Sequence, residues 1–178
     1  MCGYLGCRNC NEIDKTNEHK PYMLPKDPKA YTEKYIWFDY EAEQDTGIHR
    51  PNLIVAHYFD GTKLYFKTND EFCKWLISEK HKCYTAIAHN AKGNDSQFIL
   101  NYCVDNTLKP YTIYNGTKLM PLNVAKIKIL DSHNFVASPL SAFPKIFGLN
   151  EFKKGYFPHY FNTDENQNYI GPIPDIKY

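Results

Sequence analysis

Two carboxylates stand two residues apart in the sequence, Asp39 and Glu41, inside the aromatic run 35–41. If this run is a β-strand, alternate side chains leave the same face, so the two acids lie about 6–7 Å apart. That spacing suits joint binding of a hard divalent cation such as Mg²⁺ or Mn²⁺. The structural alternative is a strand end whose acids point into water, and an Asp-x-Glu triplet alone does not decide between the two.

A third carboxylate, Asp95, follows the apolar run 84–89 and the loop 90–94, where a helix is expected to begin. An acid at a helix N-terminus can also simply complement the helix dipole. Taken together, the three acids predict a cage for two cations about 4 Å apart. One ion would activate water and the other would stabilise the departing oxygen. Asp131 ends a later apolar run near the presumed cleft, and it is interpreted either as structural or as a residue that supports the metal ligands.

A second donor set of a different kind occupies the N-terminus, where Cys2, Cys7, Cys10 and His19 occur within 20 residues. Three thiolates and one imidazole suit a tetrahedral zinc site. The alternative is the remnant of a longer zinc finger. The remaining cysteines and histidines show no ligand spacing, so they are given no role.

The elements that must position the acids follow from periodicity and turn residues. A hairpin is predicted at Asp60-Gly61, a capping box at Thr68 begins a helix that runs to about Lys80, and Asn94 begins a second helix. A third helix, from Ser138 to the stop at Gly148, should be kinked or shortened by Pro144. Strands are predicted at 35–41, 52–59, 63–67, 84–89, 111–114 and 124–130. The resulting βββαβα order predicts an α/β domain of the ribonuclease H-like kind.

Size and charge limit the function classes. A chain of 178 residues is too short for a polymerase with palm, fingers and thumb, and it predicts one domain, 31–178, preceded by the small Cys/His segment 1–30. The net charge of +1 gives no global positive field, so any DNA contact must be local. No apolar run reaches the roughly 20 residues that cross a bilayer. The sequence therefore predicts an intracellular protein without a membrane partner.

Two segments make the sequence recognisable. FDYEA, residues 38–42, resembles the first exonuclease motif of family B proofreading domains, and AHNAKGNDSQFIL, residues 88–100, resembles the second. Further stretches at 129–135 and 138–149 are similar to protein-primed polymerases of linear plasmids and Maverick/Polinton-type elements. The resemblance covers nearly all of residues 35–178, and it implies a DnaQ-like exonuclease fold that removes nucleotides from the 3′ end of single-stranded DNA.

The resemblance also implies residue roles. Asp39, Glu41 and Asp95 would bind two Mg²⁺ or Mn²⁺ ions. Four residues would contact the unpaired DNA end: Asn90, Phe98, Leu140 and Phe143. Pro139 occupies the position where the family has a hydroxyl that also contacts DNA.

A lysine motif of the family falls on Lys153 and Lys154. Lys154 is assigned to offset charge on the scissile phosphate, with a solvated lysine pair as the alternative. The expected partners are a priming protein and the remainder of the polymerase, in the nucleus if the source is a eukaryotic mobile element.

The third exonuclease motif, Tyr-x-x-x-Asp, does not occur after Phe161. The sequence is therefore interpreted as a fragment or truncated copy of a polymerase, or as a decayed exonuclease that still binds nucleic acid. Another ribonuclease H-like nuclease, with different polarity or an RNA substrate, is a third hypothesis, because the same acidic cage serves many such enzymes.

Overall fold

The computed structural model describes residues 34–43, 47–91, 93–115, 118–150, 157–175 and 177, together with two short strands nearer the N-terminus. The chain divides into two compact units, Met1–Thr32 and Glu33–Tyr178. In the first unit, β1 (Leu5–Gly6) pairs antiparallel with β2 (Ile13–Asp14). The four predicted zinc ligands, Cys2, Cys7, Cys10 and His19, lie outside the described residues.

The second unit is built on a mixed sheet whose order is β5-β4-β3-β6-β9-β8-β7. The pairs β3–β6 and β6–β9 are parallel, and the other neighbouring pairs are antiparallel. The strands are β3 (Tyr35–Glu43), β4 (Arg50–Tyr58), β5 (Lys63–Phe66), β6 (Thr85–Ala88), β7 (Tyr111–Asn115), β8 (Lys118–Val124) and β9 (Ile127–Asp131). The predicted α/β class and the βββαβα order of its first six elements are confirmed.

Helices α1 (Asn69–Leu76) and α2 (Asp95–Asp105) cover one face of this sheet. Alternate residues of β3 are buried there, among them Ile36 and Phe38, in one cluster with Phe72 of α1 and Ile99 of α2. Burying a side chain of this size stabilises the fold by about 1.5–3 kcal/mol. The strand alternation that fills this core sends the intervening side chains of β3 to the opposite face.

Helix α1 begins as predicted, with the Thr68 hydroxyl accepting a hydrogen bond from the Glu71 N–H at 3.2 Å. It ends at Leu76, however, and not near Lys80. The Nδ1–H of buried His81 contacts the carbonyl oxygens of Trp75 at 2.8 Å and Leu76 at 3.1 Å. These carbonyls are at the C-terminal end of α1, where the helix no longer supplies N–H donors to them. The imidazole N–H takes the place of those donors.

The single strand predicted at 124–130 was partly wrong, because these residues belong to two strands. β8 ends at Val124 and β9 begins at Ile127. The turn between them places Ala125 and Lys126 at φ values of 45° and 67°. Such turns usually carry glycine, asparagine or aspartate, so alanine and lysine at these positions do not indicate a turn.

The predicted start of the last helix at Ser138 was wrong: α3 spans only Phe143–Phe147, with Pro144 in its first turn, and it ends as predicted at Gly148, whose φ is 63°. A 3₁₀ turn, Leu140–Ala142, precedes it. Residues 157–175 form an irregular segment with 3₁₀ turns at His159–Phe161 and Asp164–Asn166. None of the described helices is long and apolar enough to cross a membrane.

Candidate active site

Asp39 and Glu41 lie on the face of β3 that points away from α1 and α2. Their neighbours Phe38 and Tyr40 are only 5% and 8% exposed and belong to the core, so strand alternation directs the two carboxylates to the other side. Asp39 is exposed and Glu41 is half-buried. The strand therefore presents both acids together, with Asp39 the more accessible of the two.

The loop between β6 and α2 leads the chain to Asp95, and it is fixed by a buried acid. Asn90 in this loop has a φ of 62°, a left-handed conformation that asparagine tolerates. Its N–H donates to Oδ1 of Asp131 at 2.8 Å, and the N–H of His133 donates to the same oxygen at 2.8 Å. Asp131 is 2% exposed. Its carboxylate thus locks the start of this loop onto the end of β9.

Asp95 is the first residue of α2 and is half-buried. Burial raises the pKa of Asp95 to about 7, and the negative charges of Asp39, Asp131 and Glu41 act in the same direction. Because like-charge repulsion weakens with distance, each of these three acids is close enough to Asp95 to act on its carboxyl group. The fold therefore brings the three acids predicted from the sequence into one electrostatic site, and it adds Asp131.

The position of α2 against β3 is held by more than apolar packing. The side-chain Nδ2 of Asn69, at the start of α1, donates to the main-chain carbonyl of Phe98 at 2.9 Å. The ring of Phe98 lies 5.3 Å from that of Tyr40, centroid to centroid. Asp95, one turn before Phe98 on α2, is consequently held at a fixed distance from the strand that carries Asp39 and Glu41.

Carboxylate oxygens are the ligands that Mg²⁺ and Mn²⁺ prefer, and a bound cation would oppose the repulsion that raises the pKa of Asp95. Among the described residues, however, no group of three His, Cys, Asp or Glu side chains is arranged closely enough to hold a metal ion. The site therefore fits a divalent cation in its donor chemistry and charge, without forming a closed three-ligand cage.

A groove of about 300 Å³ opens beside Asp39. Its lining includes Trp37 of β3 and the predicted DNA contacts Leu140 and Phe143. Three apolar side chains next to an exposed carboxylate could receive a nucleobase while its phosphate lies near the acids, since stacking tolerates any base. Asp39, Leu140 and Phe143, which are distant in sequence, thus line one groove.

His89 holds this groove together, although the sequence analysis gave it no role. Its Nε2–H donates to the main-chain carbonyl of Ser138 at 2.9 Å, and its ring lies edge-on to Phe143 with centroids 5.2 Å apart. His89 directly follows β6, next to the loop that carries Asn90. Its position at a strand end, within the motif-like segment 88–100, is the feature of the sequence that could have pointed to it.

His159 is a second residue that the sequence analysis did not assign. Its Nδ1 lies 3.7 Å from Oε2 of Glu41, which brings the irregular C-terminal segment next to the acids. No spacing in the sequence connects residues 41 and 159.

The remaining predicted residues have mixed placements. Asn90 is exposed, with its side chain available to solvent. Phe98 is half-buried and packs mainly against the core, so only part of its ring is accessible to a ligand. Lys153 and Lys154 lie outside the described residues. Their predicted role stays a prediction.

Residues 77–178 match the family model described as DNA polymerase type B, organellar and viral. A probable DNA polymerase of Agaricus bitorquis is 35% identical over 116 residues, which cover 57% of this chain and 14% of that protein. A probable DNA polymerase of Podospora anserina is 38% identical over 58 residues, covering 33% of this chain and 5% of that protein. The chain thus spans a small part of the length of either relative.

Among solved structures, Phi29 DNA polymerase complexed with primer-template DNA superposes with a TM-score of 0.61 at 18% identity, covering 72% of this chain and 26% of that one. Phi29 DNA polymerase complexed with single-stranded DNA gives the same TM-score of 0.61. At this identity the likeness shows the fold, and it confirms the expected ribonuclease H-like α/β class.

Proposed function

The chain belongs to the organellar and viral type B family of DNA polymerases, and from this premise we propose that its unit Glu33–Tyr178 is the 3′-to-5′ exonuclease portion of such an enzyme. Membership confirms the resemblance drawn from the segments at 38–42 and 88–100. The proposed reaction is hydrolysis of the terminal phosphodiester of single-stranded DNA, which releases a mononucleotide. Coupled to a polymerase, this reaction is proofreading.

One observation carries the proposal: burial, together with the charges of Asp39 and Glu41, raises the pKa of Asp95, an acid far away in sequence. A fold that places like charges together, where each destabilises the others, needs a compensating cation or proton to be stable. Perturbed carboxyl groups of this kind cluster at functional sites.

Asp39, Glu41 and Asp95 would hold the divalent cations, Mg²⁺ or Mn²⁺, in their ionised forms. When bound, such ions supply an activated water and neutralise the charge that develops on the departing 3′ oxygen. The protein itself positions these acids. Asp131 fixes the loop before Asp95 through two main-chain N–H groups, each 2.8 Å away.

The substrate end would occupy the groove beside Asp39. Trp37, Leu140 and Phe143 would contact an unpaired base, since apolar and aromatic contacts are tolerant of sequence. Asn90, exposed in the loop before α2, would donate a hydrogen bond to the single-stranded DNA. The accessible part of the Phe98 ring would also contact the DNA. Lys154 would offset charge on the scissile phosphate.

The test uses the 178-residue chain with 3′-labelled single-stranded DNA in the presence and absence of Mg²⁺. We expect Mg²⁺-dependent release of mononucleotides. The Asp39→Ala/Glu41→Ala variant should slow it by about 100-fold or more, because metal ions contribute several kcal/mol of transition-state stabilisation. Asp105→Ala, which removes an exposed acid from the far end of α2, is the matched control. Equal rates in the parent and the double variant would refute the proposal.

A second candidate is a domain that binds nucleic acid without cutting it. It is favoured by the finding that, in the part of the chain that the structure describes, no three acidic, His or Cys side chains form a metal-binding group. This candidate predicts tight binding of single-stranded DNA that Mg²⁺ leaves uncut.

Three finer assignments are also proposed. Cys2, Cys7, Cys10 and His19 bind zinc, since thiolate and imidazole are its preferred ligands. A priming protein and the remaining polymerase domains are the expected protein partners. Residence in the nucleus follows if the source is a eukaryotic mobile element.

A further inference from the structure

A second groove, of about 480 Å³, lies between β4 and the 157–168 segment. We call it the amide groove, because asparagine and glutamine side chains dominate its described lining, together with two phenylalanines and one lysine. The residues that carry the inference are Asn52, Lys67, Phe157, Phe161, Asn166 and Gln167. None of the described residues that line it is acidic. Its volume falls in the range of about 300–1,000 Å³ that is typical of ligand sites.

Asn52 enters this groove at a β-bulge. Glu41 pairs with Leu53 and Ala42 pairs with Pro51, so Asn52 is an extra residue on β4. Bulges redirect a side chain and are frequent next to active sites. Nδ2 of Asn52 donates to Oδ1 of Asn162 at 2.7 Å, and Nδ2 of Asn162 donates back at 3.2 Å. This amide pair ties the C-terminal segment to the strand next to Glu41.

The amide of Asn52 retains binding capacity after this pairing. A primary amide has two N–H donors and two acceptor positions. The reciprocal pair with Asn162 occupies the edge on which one N–H lies beside the oxygen, and it leaves the outer N–H of Asn52 as a donor. This N–H can donate one hydrogen bond to a ring nitrogen or a carbonyl oxygen of a base.

Gln167 provides a further acceptor. Both N–H groups of its side chain are engaged, with Oδ1 of Asn162 at 3.1 Å and the carbonyl of Thr163 at 2.9 Å. Its Oε1 has no hydrogen-bond partner among the described residues. The bonds that orient the amide therefore leave its oxygen open to a ligand.

Aromatic and cationic groups complete the lining. Phe157 and Phe161 are half-buried, and the ring of Phe161 is held edge-on to Tyr169 at 4.9 Å between centroids. A fixed ring of this kind offers a stacking surface to a base. Lys67 is exposed, and its ammonium can pair with a phosphate as a point charge. The groove thus combines stacking, edge recognition and charge.

The groove also adjoins the acids. Leu53, in its lining, is the register partner of Glu41. His159 lies 3.7 Å from Glu41, between Phe157 and Phe161 in the chain. The groove of Leu140 and Phe143 adjoins Asp39 instead. Asp39 therefore lines one groove, and the register partner of Glu41 lines the other.

We infer that the amide groove is a second nucleotide subsite, in which a base is stacked by the phenylalanines and bound at its edge by Asn52 and Gln167, with its phosphate near Lys67. The inference rests on the proposed function, because a strand lying across the acids would extend from one groove toward the other. Two sources share this ligand chemistry: the mononucleotide that hydrolysis releases, and a nucleotide of a continuous strand.

The experiment titrates the ¹⁵N-labelled 178-residue chain, in EDTA so that no DNA is cut, with dAMP and separately with a short oligodeoxyadenylate. We expect the side-chain amide resonances of Asn52 and Gln167 to shift. Asn52→Ala and Gln167→Ala should weaken the responding ligand by about tenfold. Gln167 is exposed, so its replacement leaves the fold intact. Asn101→Ala, which removes an exposed amide of α2, should leave the Kd unchanged.

A response to dAMP identifies the released mononucleotide as the ligand, and a response to the oligonucleotide alone identifies the continuous strand. If neither ligand shifts these resonances, the inference is overturned. The Asp39→Ala/Glu41→Ala variant separates the two hypotheses, since it should lose hydrolysis and keep nucleotide binding. If the chain hydrolyses DNA but the amide resonances of Asn52 and Gln167 do not shift, the subsite is refuted and the proposed function stands. If these resonances shift but the chain does not cut DNA, only the proposed reaction is refuted.

Discussion

The hydroxyl of Tyr40 donates a hydrogen bond to Oδ1 of Asn69 at 2.8 Å. Tyr40 stands between Asp39 and Glu41 on β3, and the other end of the same amide is bonded to the carbonyl of Phe98 in α2. Burial raises the pKa of Tyr40 far above its ordinary value, so the phenol remains a donor. One amide thus connects the strand that carries two acids with the helix that carries the third.

Replacing Asn69 by Leu should therefore loosen the site as well as the fold. The variant leaves a mostly buried hydroxyl without its acceptor, which destabilises a protein by about 1–3 kcal/mol. We expect urea denaturation to show this loss and an NMR titration to show a lower pKa of Asp95, because α2 is freed from β3. The Asn101→Leu change on the exposed side of α2 is the control. An unchanged Asp95 pKa in a destabilised variant would limit Asn69 to a structural role.

The raised pKa of Asp95 has a consequence for stability. Its pKa of about 7 in the folded chain lies above the ordinary value of 3.8, so the folded state holds the proton more tightly. The stabilising contribution is complete below about pH 4 and is lost as pH rises through 7. Asp95→Asn removes this dependence and should make the metal-free protein more stable than the parent at pH 8, by an amount on the order of a few kcal/mol.

Urea denaturation of both proteins between pH 4.5 and 8 measures the difference, with Asp105→Asn as the control. Parallel stability curves for the parent and Asp95→Asn would contradict the assignment. Addition of Mg²⁺ at pH 8 should stabilise the parent and leave Asp95→Asn unaffected.

His81 should give a pH dependence of opposite sign. Burial lowers its pKa below the ordinary 6.5, and its Nε2 lies 2.6 Å from the hydroxyl of Tyr58. With Nδ1 donating to main-chain carbonyls, Nε2 accepts from that hydroxyl, so the ring is neutral. The contribution of neutral His81 to stability is fully present above pH 6.5, and it is lost as pH falls from 6.5 through the lower pKa that His81 has in the folded chain. His81→Gln should be less stable at pH 7.5 and should lack this acid-side loss in thermal denaturation.

Phe143 tests the groove beside Asp39. Removal of one base-stacking ring costs about 1–3 kcal/mol of binding, so Phe143→Ala should weaken single-stranded DNA binding by roughly 5- to 150-fold. Fluorescence anisotropy with a labelled oligonucleotide measures the change. Phe135→Ala, which removes a ring that is 75% exposed, is the matched control. If both variants lose the same affinity for single-stranded DNA, the groove does not bind the DNA specifically.

The sequence predicted the elements whose signals are local. Thr68 and Glu71 predicted where α1 begins, and Pro144 with Gly148 predicted a short α3. The end of α1 was missed because it depends on His81, which reaches back to the helix from a later turn. The turn at Ala125–Lys126 was missed because its residues are not those that favour a positive φ.

The candidate site shows the same difference between local signals and contacts that depend on tertiary packing. Asp39, Glu41 and Asp95 were predictable from strand alternation and motif resemblance. The contacts of His159 with Glu41 and of Asn52 with Asn162 were not, because they join residues more than a hundred positions apart and depend on tertiary packing. The N-terminal cysteines and Lys154 fall outside the described residues, so their roles remain predictions.

The proposed function depends on Asp95 sharing one site with Asp39 and Glu41. An NMR titration of the Asp95 carboxyl carbon in the metal-free chain tests it most directly. We expect a pKa of about 7 for Asp95, and a lower pKa in the Asp39→Asn/Glu41→Gln variant because two negative charges are removed. A pKa near the ordinary 3.8 in the parent chain, or one that the double substitution leaves unchanged, would contradict it.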